Sequence, residues 1–281
     1  ICELLTWSTP FTEVLDWSNP PFAKWFADGT LNAAYNAVDR HVRDGRGDQA
    51  AIRYDSPVTG TRRTVTYAEL LKQVSRLAGA LRGLGVEKGD RVVVYMPMVP
   101  EALVAMLACA RIGAIHSVVF GGFAPAELAA RLEDAEPKVV LSASCGIEPK
   151  RVVEYKPFLD AAIERSSHTP EAVVVLQREQ ARAELGERDH DWDELMASDA
   201  VQPVEPVERE LRGVIARGRH LRDIAHLVIG KTPRSRRAER LGEHPVELVE
   251  RPRHLPRNRP VGAPGGLRRD TAHRVAISST S

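Results

Sequence analysis

An α/β fold built on a doubly wound, mostly parallel sheet is what this sequence predicts, and three observations predict it. Helix and strand patterns alternate in the order αβαβαβαβ between Thr66 and Gln177. The strand segments are short, nearly continuous apolar runs, as strands covered on both faces require. Residues 91–123, RVVVYMPMVPEALVAMLACARIGAIHSVVFGGF, read as strand, helix, strand and glycine turn, a βαβ unit whose two strands are parallel.

The elements follow in order. Residues 1–45 form an arm rich in aromatics and prolines (Trp7, Pro10, Phe11, Trp17, Pro20, Pro21, Phe22, Trp25, Phe26). Their spacing fits neither a strand nor a long helix, so the arm is expected to be extended, with its rings laid on the main body. Residues 31–42 carry a short helical pattern. Residues 50–54 and 63–66 flank Pro57 and Gly60 as a hairpin would. Thr66 and Glu69 make a capping box. The helix that it starts places Leu70, Val74, Leu77, Ala78 and Leu81 on one face and ends at Gly85.

Residues 91–95 are a β-branched strand after the Gly89-Asp90 turn, and Pro100 begins a helix that Gly113 closes. Residues 115–120 are the next apolar strand, with His116 read as a core residue, and Gly121-Gly122 breaks it. A helix over 125–134, a strand over 138–141, a loop over 142–153, a helix over 155–166 and a strand over 172–176 complete the alternation. Trp192 begins a short helical turn. Residues 46–207 are therefore a partial α/β domain.

Residues 208–281 differ. They hold 17 Lys+Arg against 8 Asp+Glu, a net +9, while the preceding residues carry −8. They have no aromatic residue and no sustained period. Three readings stay open: a disordered basic tail, a nucleic-acid arm, and a segment translated out of frame, since Arg, Pro, Gly, Ala and His are what a shifted GC-rich frame yields. The third is favoured. Nucleic acid is disfavoured because nothing there can stack on bases.

The 43% hydrophobic content suits one large or two modest domains. No apolar run reaches the roughly 18 residues of a membrane helix. Residues 1–7, ICELLTW, show no signal-peptide pattern and no initial Met, so the chain is expected to be a fragment. Cys2, Cys109 and Cys145 have no paired spacing, which points to a reduced, cytoplasmic setting.

Ligands of such sheets bind past the carboxyl ends of the strands. That places residues 96–100 and 120–123 at the functional rim. Gly121-Gly122 reads either as a phosphate cradle or as a plain tight turn. Lys150 and Arg151 lie shortly before a helix, where an anion is favoured; the alternative is a solvated charge pair. Gly230-Lys231-Thr232 fails as a phosphate loop, because the required upstream glycine is Ala225. No catalytic triad or metal-ligand spacing stands out.

Three segments carry a resemblance: residues 16–42 (DWSNPPFAKWFADGTLNAAYNAVDRHV), 89–123, and 144–157 (SCGIEPKRVVEYKP). They resemble the N-terminal part of the AMP-forming short-chain acyl-CoA synthetases, the acetyl- and propionyl-CoA synthetases of the adenylate-forming superfamily. CGIEPKRVV and RDHDW are more similar to the propionyl enzymes. The resemblance implies the N-terminal part of the superfamily's large domain. It implies a two-step ligase: a short-chain carboxylate and MgATP give an acyl-adenylate and pyrophosphate, and the thiol of coenzyme A displaces AMP. It also implies that Glu148, Pro149, Lys150 and Arg151 contact the nucleotide end of coenzyme A, with Arg151 on a phosphate. Phe120, Gly121 and Gly122 match the adjoining turn. The family's Thr/Ser/Gly-rich ATP loop is not found beyond Val207, so a chain inactive alone is expected. A non-catalytic coenzyme A-binding or partner-pairing module is the alternative, and exposed sheet edges are expected to favour self-association.

Overall fold

The computed structural model describes residues 4–19, 22–207, 209–210 and 246–249, with side chains for 4–19 and 22–207. The arm is not extended. It folds as an antiparallel hairpin, β1 (Leu15–Asn19) with β2 (Phe22–Trp25), followed by β3 (Thr30–Leu31) and two π-helical turns, Tyr35–Asp39 and Val42–Arg46. Its rings also depart from expectation. Trp7, Phe11 and Phe26 pack on one another, with centroids 4.8–5.3 Å apart, while Trp17 and Phe22 face solvent. Rings meeting at steep angles shield each other and gain quadrupole attraction, so the cluster needs no other surface.

Polar contacts fasten the arm instead. Asn32 is buried, and its Nδ2 donates toward the carbonyls of Ala110, Arg111 and Val207 at 3.1, 2.9 and 2.7 Å. Arg111, 2% exposed, donates Nε to the Val204 carbonyl (2.6 Å) and Nη1 to both Asp39 oxygens (2.8 and 2.7 Å). A buried guanidinium persists only with such partners.

β4 (Ala50–Ser56) and β5 (Thr61–Thr66) form the expected hairpin. The capping box at Thr66 is present: its N–H donates to Glu69 Oε2 (2.8 Å), and the Glu69 N–H donates to Thr66 Oγ1 (3.2 Å). It starts α1 (Tyr67–Gly83). Then come β6 (Arg91–Met96), α2 (Pro100–Ile112), β7 (Ile115–Phe120), α3 (Pro125–Ala135) and β8 (Val139–Ala143). Gly113 ends α2 at φ +75°, a left-handed turn that suits glycine.

The stretch expected as a loop after β8 is a hairpin, β9 (Cys145–Glu148) with β10 (Arg151–Glu154), turning through Pro149 and Lys150. Ile147, Val152 and Val153 flank that two-residue turn, and β-branched residues there favour pairing. The chain continues through α4 (Tyr155–Arg165), β11 (Ala172–Leu176), β12 (Asp189–Asp191) and α5 (Trp192–Ala197). β12 is three polar residues, which carry no apolar period. Most of residues 208–281 lie outside the described residues. Within them β13 (Arg209–Glu210) pairs antiparallel with β3, and β14 (Val246–Val249) pairs parallel with β4.

The central sheet has the order β12-β11-β8-β6-β7, and every pairing in it is parallel. Alternation splits β6 between two cores. Val92, Val94 and Met96 join α1 and α2, whereas Val93 and Tyr95 join α3 and α4. Both faces are thus covered, which explains the continuous apolar run. β7 is the outer strand, with Ile115, Val118 and Phe120 exposed by 41, 57 and 53% and His116 half-buried. The core placement expected for His116 fails because no strand flanks β7 on its outer side among the described residues.

Candidate functional site

Taken in chain order, the five central strands stand 5-4-3-1-2, so the winding reverses between β6 and β8. In a doubly wound sheet the ligand crevice opens at that reversal, past the carboxyl ends. Here those ends are Met96 and Ala143. The crevice is filled by the protein itself. Tyr95 is fully buried and Tyr155, the first residue of α4, is 5% exposed; their rings lie 4.9 Å apart at 32°.

Two rim loops close on this pair. A Cβ on Gly121 would stand 2.5 Å from the Tyr155 hydroxyl and 2.9 Å from the Met96 carbonyl oxygen. A Cβ on Gly146 would stand closer still to the Tyr155 hydroxyl, and 2.6 and 2.7 Å from its ring carbons. Both glycines are needed for close approach, by a tyrosine of the same chain. Gly122 has φ +94° and open space beside it, so there the turn itself selects glycine. The Tyr95 hydroxyl donates to the Phe123 carbonyl (3.1 Å), and burial, only partly offset by the Gly122 backbone, pushes its pKa up to about 12.

The β9-β10 hairpin rises from the same place. The Tyr155 N–H donates to the Ser144 carbonyl (2.9 Å), the Ser144 N–H to the Leu176 carbonyl (2.9 Å), and the Arg178 N–H to Ser144 Oγ (2.8 Å). The hairpin base is thereby fixed to the end of β11. Glu148 and Arg151 pair across the tip, and Pro149 and Lys150 make its turn. Val152, Val153 and Glu154 therefore separate the basic pair from α4, about 13 Å of extended chain from Arg151 to Tyr155. Lys150 and Arg151 do not sit on the helix N-terminus, as the sequence suggested; they crown a hairpin in solvent. Arg151 Nε donates to Glu148 Oε2 at 3.0 Å, and this bond raises the guanidinium pKa further. Both side chains stay largely exposed, 69 and 46%.

An open groove of about 320 Å³ runs beside this tip, lined by Arg151, Val152, Val153, Glu154, Pro157 and Phe158. It offers a cation at one end and apolar walls along its length, which suits a phosphorylated heterocycle. Gly121 and Gly122 are not among its lining residues. Phe120 is paired with Met96, so alternation directs it to the α1–α2 face, away from Tyr155. The structure thus joins Gly121 to the hairpin base through Tyr155, and sets the hairpin tip and Phe120 outward. Sequence reading missed Tyr95, Tyr155 and Gly146; a glycine inside a β-branched hairpin strand was the available signal.

A larger cleft of about 730 Å³ lies by α4 and the start of β12. Five of its lining residues are acids (Asp160, Glu164, Glu171, Glu187, Asp189), against Lys156 and Arg188. Lys156 Nζ is already held by Asp160 (2.6 Å) and Asp189 (2.8 Å). Burial pulls its pKa down, but those two carboxylates outweigh it and raise the pKa. Such a cleft repels phosphate. Among the described residues no cluster of His, Cys, Asp or Glu could hold a metal ion, and no helix is long and apolar enough to cross a membrane.

Comparison with known proteins agrees with this architecture. Residues 38–215 match the AMP-binding enzyme family, and residues 1–37 match the acetyl-coenzyme A synthetase N-terminus. The chain is 50% identical over 210 residues to the human acyl-CoA synthetase short-chain family member 3, mitochondrial, covering 74% of this chain and 31% of that protein. It is 52% identical over 198 residues to an acetyl-coenzyme A synthetase of Streptomyces avermitilis, 70% of this chain and 30% of that protein. The acetoacetyl-CoA synthetase structure from Streptomyces lividans superposes with a TM-score of 0.64 at 30% identity, covering 74% of this chain and 31% of that one. The chain therefore spans about a third of the length of such relatives. Its parallel sheet, its N-terminal arm and these matches show that the chain belongs to the AMP-binding enzyme family, within the short-chain acyl-CoA synthetases.

Proposed function

We propose that this chain supplies the coenzyme A face of a short-chain acyl-CoA synthetase. The reaction would be the family's: carboxylate and MgATP give an acyl-adenylate and pyrophosphate, then the coenzyme A thiol displaces AMP. The observation that carries the reading is the β9-β10 hairpin. It stands at the carboxyl rim of the sheet with Lys150 and Arg151 exposed at its tip, beside a groove of about 320 Å³. Arg151 would exchange its exposed bond to Glu148 for a coenzyme A phosphate, since an exposed pair of this kind is worth little. Pro149 stiffens the tip. Gly121 and Gly122 would act from the adjoining turn, and Phe120 from its outer face.

Propionate is favoured over acetate on the CGIEPKRVV and RDHDW segments. We place the ATP loop outside this sequence, and infer that the chain alone does not turn over. Propionate-dependent release of pyrophosphate from MgATP tests that inference: none is expected, and clear turnover would contradict it. A cytoplasmic, reducing setting fits Cys109 and Cys145, both free and buried. The second reading, a coenzyme A-binding or partner-pairing module, shares the hairpin site and differs only in lacking turnover in any assembly.

A further inference from the structure

Three features compete for attention: the acidic cleft beside Lys156, the exposed edge of β7, and the tyrosine pair under the rim. The cleft is closed by its own ion pairs, and nothing identifies what would cover the α1–α2 side of β7. The tyrosine pair carries an argument. Tyr155 touches both glycine-bearing rim loops at once: its hydroxyl lies between Gly121 beyond β7 and Gly146 in β9, and its ring edge also faces Gly146. Its backbone N–H holds Ser144 at the hairpin base, and its ring is stacked on Tyr95, whose hydroxyl holds Phe123. One side chain therefore connects the ends of β6, β7 and β8.

We propose that Tyr155 is the positioning residue of the coenzyme A site, a gauge that sets the Gly121 turn against the β9-β10 hairpin. The inference rests on the coenzyme A reading above. Tyr155 is buried and lies outside the groove lining, so it acts through the elements that it spaces rather than on the ligand. The two glycines share the hydroxyl and differ in what lies behind it. An added methyl at 121 meets the hydroxyl (2.5 Å) and then the Met96 carbonyl oxygen (2.9 Å); at 146 it runs into the hydroxyl and meets ring carbons at 2.6 and 2.7 Å. Removing the hydroxyl alone should therefore relieve most of the crowding at 121 and only part of it at 146.

The experiment is a set of calorimetric titrations of the full chain with 3′,5′-ADP, the nucleotide end of coenzyme A. The variants are Gly121→Ala, Gly146→Ala and Tyr155→Phe, singly and paired. Gly121→Ala and Gly146→Ala should each weaken binding about tenfold or more, as a displaced turn or hairpin would. Adding Tyr155→Phe should restore most of the loss in Gly121→Ala and a clearly smaller share of it in Gly146→Ala, where ring carbons still stand at 2.6 and 2.7 Å. A merely structural role predicts that Tyr155→Phe adds its own loss to both. Simple additivity in both pairs, with binding by the unsubstituted chain, would overturn the inference alone. No binding by the well-folded unsubstituted chain would overturn the coenzyme A reading and the inference together.

Discussion

His41 packs its ring against Tyr67, 4.5 Å between centroids, and is 8% exposed. Burial first, and then the charges of Arg46 and Arg40, lower its pKa from 6.5 to about 4. The folded chain therefore resists a proton that the unfolded chain accepts. The resulting stability is fully present above pH 6.5 and is lost as pH falls toward 4, by at most about 1.4 kcal/mol per unit. Urea midpoints measured at pH 7 and pH 5 should fall less for His41→Gln than for the unsubstituted chain; parallel profiles would refute this. Asp39→Asn makes a sharper claim. It removes the carboxylate from the buried Arg111 and should cost roughly 3 kcal/mol in denaturant unfolding. Charge chemistry of this kind was partly legible in the sequence. Arg151 stood out because a basic pair in a short polar segment has few structural uses. Arg111, Asn32 and Tyr155 did not, because their partners lie far along the chain and no local period marks them.

Among the elements, α1 shows how a local rule and a tertiary contact can oppose one another. Alanine normally stabilises a helix interior relative to glycine by about 1 kcal/mol. Gly79, however, lies under the Gln202 carbonyl, where residues 201–207 cross the helix and the Val204 N–H bonds to Ser75 (3.2 Å). Gly79→Ala should therefore destabilise the chain by about 1–3 kcal/mol, and thermal unfolding should show the loss. A gain would mean that this crossing is loose. The sequence made α1 readable at once, through Thr66, Glu69 and the apolar face from Leu70 to Leu81. It left the β9-β10 hairpin unread, because Gly146, Pro149 and Lys150 carry loop chemistry while the pairing is made by Ile147, Val152 and Val153.

Among the described residues the central sheet is five-stranded and parallel, covered on both faces and open along β7. That edge, IHSVVF, carries no charged gatekeeper apart from His116. We expect two copies to associate there, so that light scattering at rising concentration gives a growing mass and Val118→Lys suppresses it. An unchanged mass in both would remove the edge from consideration. The alternation of helix and strand was legible because β6, β8 and β11 are buried on both faces, α1 and α2 run into Gly85 and Gly113, and α3 stops just before Pro137. The order of the strands was not, since the reversal between β6 and β8 depends on which way each crossover turns. That reversal is packed with Tyr95 and Tyr155, so the proposed coenzyme A groove lies outward, at the hairpin.

Calorimetric titration of coenzyme A into the purified chain, at low and moderate salt, addresses the hairpin most directly. The account predicts a saturable heat that weakens about tenfold in Arg151→Ala and declines with added salt, as a lost phosphate contact should. A well-folded chain that gives no heat, or one whose affinity is unchanged by Arg151→Ala, would contradict it.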